Sequence, residues 1–297
     1  MAGLEIHALS DLREEAAALL SERYARQLDV EPLLPPIEDF EPHLPPEGHV
    51  ATRRGAAVAY LAGATEGDMA RWQFAGHAAR DAEALRDLFA HQAAEFGVSR
   101  FMVTVPATEP GLVDVWFRLA FGCQAVWAVR EVAPGDHVEF AGTVRPALPD
   151  DLDAIVEFDE LLYAHQAKSP SFSDMTVPAR SALREEVREI WDEPDLHTPL
   201  VAELDGRVVG FLLLYRRPAG DMRVPTNNID LSFAATREGV RGAGAGRALT
   251  AHAFDRAHAD GFESITVDWR SVNLQSSRFW PRRGFRPQYL RLYRSVP

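Results

Sequence analysis

Hydrophobic residues recur with two different spacings, one after the other, in the C-terminal third of this chain. Residues 227–235 carry aliphatic or aromatic side chains at alternate positions, which predicts a strand. Residues 245–257 carry apolar side chains at every fourth position and are followed by Gly261, which predicts a helix with a glycine stop. The glycine-rich residues 240–249 therefore span a helix N-terminus, where free backbone N–H groups and the helix dipole favour a phosphate.

The spacing of the glycines separates three kinds of phosphate loop. A dinucleotide-binding G-x-G-x-x-G starting at the first glycine would need another glycine where Arg247 stands. A Walker loop needs Gly-Lys-Ser/Thr, and the single lysine, Lys168, lies far upstream. The remaining pattern, Arg241-x-x-Gly244-x-Gly246, resembles the acyl-CoA loop (Q/R-x-x-G-x-G/A) of the GNAT superfamily of N-acetyltransferases. A glycine-rich turn without a ligand is the alternative interpretation of this loop taken alone.

Further landmarks of the same family occur in the expected order within residues 141–297. Residues 144–152 resemble its first strand and helix start, and residues 201–214 resemble its central hairpin with an Asp-Gly turn. Residues 273–285 resemble its N-x-x-A/S-x-x-F-Y-x-x-x-G-F signature. The resemblance implies an α/β (α+β) GNAT fold, with a mixed, mostly antiparallel central sheet flanked by helices.

An internal repeat accounts for the other half of the chain. A shift of 164 residues superposes three landmark pairs, which are Gly97 with Gly261, Trp116 with Trp280, and Phe121 with Phe285. We therefore predict two tandem GNAT folds, in residues 1–137 and 138–297. The same shift places His77, Arg80 and Ala82 under Arg241, Gly244 and Gly246. The N-terminal copy thus lacks the glycines and is predicted to have lost CoA binding.

The resemblance implies acetyl-CoA as co-substrate of the C-terminal copy. In the family, backbone groups at a splayed strand end orient the pantetheine, the loop holds the pyrophosphate, and the 273–285 signature lies beside the cofactor. The matching positions here are Phe233, Ala234, Ala235, Arg241, Gly242, Ala243, Gly244, Ala245, Gly246, Arg247, Asn273, Ser276 and Trp280.

Direct acyl transfer requires the amine to lose a proton and the thiolate to leave. Asp230 is the candidate base, because it lies on the strand before the loop, where the family often has an acidic residue. The family's usual acid is a tyrosine at the position of Trp280, and an indole N–H donates a hydrogen bond but no proton. The candidate substitutes are Tyr289, which we favour, and Ser276, Ser277 and Tyr293. Unassisted departure of the thiolate is the other solution.

The acceptor pocket of the family is shaped by the region between its first two helices. By resemblance, Tyr163 and His165, which precede the loop at residues 166–177, become candidate contacts of a small-molecule amine. A single histidine beside a loop is more often a packing residue, so neither side chain is expected to be essential.

Composition and charge narrow the partners. Residues 1–140 carry 11 arginines against 22 acids, a charge of −11, whereas residues 141–297 carry 20 bases against 22 acids, a charge of −2. This balance argues against nucleic acid as a partner and favours a cationic amine, although an acidic surface also serves solubility. The single Cys123 excludes an internal disulfide and a cysteine metal cluster, and we expect no metal site.

No apolar run is long enough to span a membrane, and residues 1–20 are acidic, unlike a secretion signal. We therefore expect a cytoplasmic protein, and its arginine-rich, lysine-poor usage suits a high-GC bacterial genome. The two copies would form an internal pseudo-dimer in a monomer, or the chain would form a homodimer. Two functions are predicted: a CoA-dependent N-acetyltransferase acting on a small amine, or a non-catalytic acetyl-CoA sensor.

Overall fold

The computed structural model describes residues 3–171, 177–218, 220–240 and 242–296. The chain divides into two compact units: unit 1 comprises Met1–Trp127 and Pro287–Pro297, and unit 2 comprises Ala128–Arg286. This division differs from the predicted one in two places. Residues 128–137 lie with unit 2, and the C-terminal residues 287–297 lie with unit 1.

The described residues form seven α-helices and fourteen strands. The elements up to the boundary are β1 (Leu4–Ala8), α1 (Arg13–Val30), β2 (His49–Arg53), β3 (Ala56–Leu61), β4 (Ala64–Glu66), β5 (Met69–Trp72), β6 (His77–Ala79), α2 (Ala82–Phe96), β7 (Arg100–Pro106), α3 (Pro110–Arg118) and β8 (Gly122–Glu131). The elements that follow are β9 (Thr143–Pro146), α4 (Leu152–Gln166), α5 (Arg180–Asp192), β10 (His197–Leu204), β11 (Arg207–Tyr215), β12 (Asn228–Thr236), α6 (Ala245–Ala259), β13 (Ser264–Arg270), α7 (Ser276–Phe279) and β14 (Arg286–Ser295). None of the described helices is both long and apolar enough to cross a membrane.

Unit 1 contains two runs of strands, in the orders β1-β2-β3-β6 and β4-β5-β7-β14. All of these neighbours pair antiparallel except β5 and β7, which pair parallel. The last strand of the chain, β14, pairs with β7 from Tyr289 opposite Pro106 to Ser295 opposite Arg100. Buried aromatic rings, including Trp72 and Trp116, pack between α2, α3 and the strands.

Unit 2 contains a sheet in the order β13-β12-β11-β10-β9. The pairs are antiparallel except β12 with β13. Asp205 and Gly206 turn the β10–β11 hairpin, and both have positive φ, as a two-residue hairpin turn requires. The predicted fold class, a mixed and mostly antiparallel sheet with flanking helices in two tandem copies, is confirmed.

A bulge in β12 separates it from β13 near the glycine loop. Leu213 pairs with Phe233 and Leu214 pairs with Leu231, so Ser232 is an extra residue in β12. The parallel pairing of β12 with β13 runs only from Asn228 to Leu231. The last residues of β12 therefore diverge from β13 and can border a cleft.

The helix after the loop buries the face that its pattern predicts. Ala245, Leu249, Ala253 and Ala257 are all buried in α6. Gly261, just beyond the helix, has a φ of +78°, a conformation that favours glycine. The four-residue period is thus the stripe that packs α6 on its sheet.

The equivalent connection in unit 1 is shorter than the sequence repeat indicates. His77 lies within β6, and the connection from β6 to α2 is two residues long, Arg80 and Asp81. Residues 237–244 join β12 to α6 in unit 2. The shift of 164 residues therefore holds from α2 onward, where Gly97 follows the helix as Gly261 does, and the prediction that His77 occupies a loop is wrong. Unit 1 lacks most of the loop as well as its glycines.

Candidate functional site

The glycine loop leaves the N-terminus of α6 open. Gly244 is the N-cap residue, and no side chain of the described residues caps the helix there. Its φ is +93°, and a Cβ on it would lie 2.7 Å from the backbone oxygen of Glu139, so this position requires glycine. The first N–H groups of α6 and the helix dipole are consequently suited to bind an anion.

The matching helix of unit 1 has a different N-terminus. The side chain of Asp81 caps α2 and accepts a hydrogen bond from the backbone N–H of Glu83 at 3.1 Å. Arg53 forms an ion pair with the same carboxylate at 2.8 Å. The carboxylate of Asp81 therefore occupies the helix N-terminus where a pyrophosphate would bind. This is a physical reason why unit 1 has no phosphate-binding loop.

Five arginines surround a cavity of about 740 Å³ beside the open helix end, which we call the basic cavity. Of the predicted loop residues, those that line it are Gly242, Gly244, Ala245, Gly246 and Arg247. The other arginines that line it are Arg130, Arg278, Arg282 and Arg283. Sequence reasoning missed these four. Three of them lie inside the 273–285 signature, where arginines flank the aromatic pair.

The arginines of the basic cavity repel one another. Burial, and then the charges of Arg247 and Arg282, lower the pKa of Arg283 to about 10. Its guanidinium lies 3.2 Å from the centre of the Phe279 ring, which holds it in place. Guanidinium groups gathered in this way suit a polyanion with more than one phosphate.

A second cavity of about 210 Å³, the apolar cleft, adjoins the first. Predicted residues that line it are Ala234, Ala235, Asn273, Ser276, Trp280 and His165. Apolar side chains including Leu161, Phe211 and Leu249 form much of the remaining wall. The residues that line both cavities are Thr236, Gly246, Thr250, Gln275 and Phe279. The two cavities are therefore adjacent, and we call the boundary that these five shared residues form the neck.

Gly246 keeps the neck open. A Cβ built on it would lie 3.5 Å from Cγ2 of Thr236 and 3.9 Å from the ring of Phe279. These are ordinary contact distances, so packing does not demand glycine at this position. A larger side chain would instead fill the passage between the basic cavity and the apolar cleft.

Asn273 and Trp280 shape one wall of the apolar cleft. The side-chain oxygen of Asn273 accepts hydrogen bonds from the backbone N–H groups of Gln275, at 3.1 Å, and Ser276, at 3.2 Å. Trp280 is buried and packs edge-on against Phe279 and Phe285. The asparagine thus fixes the start of α7, and the tryptophan fixes its end.

Two of the predicted cofactor positions that the structure describes line neither cavity. Phe233 packs against Phe211 in the core of unit 2, with ring centres 5.3 Å apart. Ala243 lies in the loop between lining residues, and its N–H donates to the backbone oxygen of Val240. Arg241 lies outside the described residues.

Asp230 is held in a buried ion pair and lines neither cavity. It is 2 % exposed, it accepts a hydrogen bond from Arg217 at 2.8 Å, and it accepts another from the hydroxyl of Thr266 at 2.7 Å. Burial by itself lowers the pKa of Arg217. The charge of Asp230 and its hydrogen bond act in the opposite direction, and the pKa of Arg217 is raised. This carboxylate joins β12 to its neighbours, and the structure does not support its predicted role as the base.

Tyr289 belongs to unit 1 and does not line the apolar cleft. It lies on β14 opposite Pro106, is 2 % exposed, and packs edge-on against Phe74 with ring centres 4.8 Å apart. Its position on the final strand made it a candidate by sequence alone. Because β14 pairs with β7 of unit 1, the structure does not support Tyr289 as the acid.

Glu238 is the acidic residue that sequence reasoning missed. It begins a short 3-10 turn, Glu238–Val240, separated by one residue from the end of β12, and it is exposed. It is the one acidic side chain among the described residues that line the apolar cleft. An acid between the predicted strand and the glycine loop was the available signal, but the strand residue Asp230 was preferred.

Tyr163 turns towards α5 and does not line the apolar cleft. Burial, and then the charges of Glu186 and Asp159, raise the pKa of its hydroxyl. Glu186 also acts on Asp159. Burial, and then the charges of Glu186 and Glu160, raise the pKa of Asp159 to about 7. Of the two predicted acceptor contacts, therefore, His165 alone lines the cleft.

The substitution Asp159→Asn is expected to stabilise the protein at pH 8 and to have little effect near pH 4. An unfolded aspartate ionises at about pH 4, whereas the folded carboxyl keeps its proton up to about pH 7. Folding therefore becomes less favourable as the pH rises between these values, and the amide removes that loss. Thermal unfolding at both pH values measures the effect. Asp192→Asn, at an exposed position on α5, is the control, and an equal gain at both pH values would contradict the prediction.

One group of side chains in unit 1 has the composition of a metal site. Ligand atoms of His49, His91 and Glu95 lie within 4.8 Å of one another. The amide of Gln92 accepts from Trp72 and donates to Nδ1 of His49 at 3.1 Å. Nε2 of His49 must then carry the proton, which makes it a poor ligand.

Comparison with known proteins agrees with this architecture. Residues 162–285 match the model of the acetyltransferase (GNAT) family. No curated protein matches the chain in sequence.

Three similar solved structures cover nearly the whole chain. A GCN5-related N-acetyltransferase from Sphaerobacter thermophilus is 13% identical, with 98% of this chain and 95% of that chain covered and a TM-score of 0.58. A tandem GNAT protein from the clavulanic acid biosynthesis pathway is 14% identical, with 99% of both chains covered and a TM-score of 0.51. A GNAT-family acetyltransferase from Colwellia psychrerythraea is 12% identical, with 99% of this chain and 100% of that chain covered and a TM-score of 0.54. At these identities the likeness is one of fold, and the family match assigns residues 162–285, within unit 2, to the acetyltransferase (GNAT) family.

Proposed function

We propose that unit 2 transfers the acetyl group of acetyl-CoA to the amine of a small molecule. The observation that carries this proposal is the neck at Gly246, where a basic cavity at an uncapped helix N-terminus meets an apolar cleft. An acyl donor with phosphates at one end and a thin apolar arm at the other fits a basic cavity that adjoins an apolar cleft. Acetyl-CoA has such a shape, and the family match makes it the expected donor.

The residues of the basic cavity suit the phosphates. The open N–H groups of α6 would bind the pyrophosphate, and Arg247, Arg282 and Arg283 would neutralise the remaining charge. The arm would pass Gly246 at the neck, where a Cβ would narrow the passage. Ala234 and Ala235, beyond the bulge of β12, would present backbone groups to the thioester.

Glu238 is the group that we propose removes the proton of the acceptor amine, directly or through water. It borders the cleft where an amine would approach, whereas Asp230 is committed to Arg217. No tyrosine is among the described residues that line the cleft. A thiol pKa of about 8.5 makes a thiolate a fair leaving group without an acid.

The acceptor is proposed to be a small amine with an apolar body. The wall of the cleft is mainly aliphatic and aromatic, with Glu238 and His165 as its ionisable side chains. We expect the protein to act in the cytoplasm, where acetyl-CoA is available, and to need neither nucleic acid nor a membrane. A monomer and a homodimer both remain compatible with this proposal.

A second function, an acetyl-CoA sensor without turnover, is favoured by one observation. Trp280 occupies the position of the family's usual acid, and its ring is fixed by Phe279 and Phe285. An indole cannot protonate the thiolate. The cofactor site would then be kept while the chemistry is lost.

Release of free CoA from acetyl-CoA, measured across a panel of aliphatic and aromatic primary amines, tests the proposal. Turnover that depends on the amine and is lost in Glu238→Gln is the expected result. Binding of acetyl-CoA without turnover on any amine would favour the sensor. Failure to bind acetyl-CoA would overturn both functions.

A further inference from the structure

Arg23, on α1 of unit 1, is a wholly buried charge, and three of its five N–H donors are unused. Its Nη1 donates to the backbone oxygen of Phe74 at 2.8 Å and to that of His77, and its guanidinium lies 4.1 Å from the centre of the Phe74 ring. Its Nε and Nη2 are buried and have no hydrogen-bond partner in the part of the chain that the structure describes. An arginine keeps its proton in a protein, so the charge remains and its donors need acceptors.

The two unused nitrogens form one edge of the guanidinium. Their N–H bonds are parallel and match the two oxygens of a carboxylate. Two other arginines of unit 1 bind a carboxylate through the same pair of nitrogens. Nε and Nη2 of Arg26 donate to the two oxygens of Glu109 at 2.8 and 3.5 Å, and those of Arg80 donate to Glu22. The free edge of Arg23 therefore has the shape of a carboxylate site without the carboxylate.

The surroundings of Arg23 supply no balancing charge. Glu109 is close enough to act on it electrostatically, but both of its oxygens are engaged by Arg26. The neighbouring His77 is neutral, because burial, and then the charge of Arg23, lower its pKa to about 3. Arg23, Arg26 and Glu109 together carry one net positive charge, and a buried unpaired charge costs several kcal/mol.

Two residues close to Arg23 in the fold also have unused polar atoms. Gln27 follows Arg23 by one helical turn, is fully buried, and has both its amide nitrogen and its amide oxygen without a partner among the described residues. His77 donates from Nε2 to the backbone oxygen of Thr104 at 2.9 Å, which leaves Nδ1 as an unused acceptor. His77 is on β6 and Thr104 on β7, so these atoms lie where two separate runs of strands approach each other.

We propose that Arg23, Gln27 and His77 form a binding site in unit 1 for a small carboxylate. The carboxylate oxygens accept hydrogen bonds from Nε and Nη2 of Arg23, and Gln27 adds a third donor. The oxygen of Gln27 and Nδ1 of His77 accept from a hydroxyl or amino group if the ligand has one. This site is independent of the transfer proposed for unit 2, and it gives unit 1 a ligand of its own.

Formate, the smallest carboxylate, is the probe. Thermal unfolding of the full chain is followed as sodium formate replaces an inert salt at constant ionic strength. The unfolding temperature is expected to rise by about 4 °C at ten times the dissociation constant and by a similar amount with each further tenfold increase in formate. Arg23→Met should abolish the rise, and Arg86→Met, which removes an exposed arginine on α2, should preserve it. Equal responses in all three proteins would overturn the proposal.

A crystal structure of the wild-type chain grown in formate decides the question even if Arg23→Met does not fold. Planar density with two oxygens within hydrogen-bond distance of Nε and Nη2 of Arg23 is the expected result. Ordered water alone at this edge, or a protein carboxylate turned onto it, would overturn the proposal.

Discussion

Gly246→Val is expected to abolish acetyl-CoA binding while the protein remains folded. A Cβ at this position makes only ordinary contacts, with Thr236 at 3.5 Å and with Phe279 at 3.9 Å, so the folded chain accepts it. The same atoms border the neck between the basic cavity and the apolar cleft, and a branched side chain would fill it. The affinity should fall at least about 100-fold, a loss of roughly 2.7 kcal/mol. Isothermal titration with acetyl-CoA and thermal unfolding measure the two effects.

The matched control is Gly111→Val. Gly111 is the second residue of α3, as Gly246 is of α6, and a Cβ there meets no atom within 4 Å. It should alter neither affinity nor stability appreciably. Gly244→Ala would be a poorer test, because the positive φ of Gly244 and its closeness to Glu139 would disturb the fold as well. A folded Gly246→Val protein with wild-type affinity would contradict both the neck and the proposed donor site.

The parts of this site that could be predicted from sequence depend on local patterns. The open N-terminus of α6 follows from a change of hydrophobic period at a run of glycines, and both signals lie within one short segment. The cap at Asp81 could also have been found, because an aspartate directly before an apolar helical pattern is a common N-cap. It would have given a physical reason for the loss of the loop in unit 1.

The assignments that changed depend on contacts between distant parts of the chain. Tyr289 is a candidate acid from its position in the sequence, but β14 pairs with β7, and no local pattern shows which strand a final strand pairs with. Alternation along β12 does not show that Asp230 meets Arg217, because that arginine lies in an irregular segment. Of the four additional arginines of the basic cavity, Arg130 lies on β8, whereas the others lie on α7 and in the turn after it, so they come together only when these distant segments pack.

Asp230→Asn is expected to destabilise the protein without impairing the chemistry. The amide keeps the shape of the side chain but cannot accept from both Arg217 and Thr266 and also balance the charge. Because Asp230 is buried while the arginine side chain keeps 35% of its exposure, the unfolding free energy should fall by about 2 kcal/mol. Urea unfolding measures this loss. The rate of CoA release per folded molecule should remain within about threefold of wild type, a difference too small for loss of a general base.

Glu238→Gln should show the opposite behaviour. Its side chain is exposed at the border of the apolar cleft, so the amide should leave the unfolding free energy nearly unchanged. Loss of a general base should lower kcat/KM about 100-fold, and a higher pH should restore part of the rate by deprotonating the free amine. A rate that falls in Asp230→Asn but not in Glu238→Gln would return the role of base to Asp230. In that case the ion pair with Arg217 would have to open when the substrates bind, because both oxygens of Asp230 accept hydrogen bonds from other side chains in the structure.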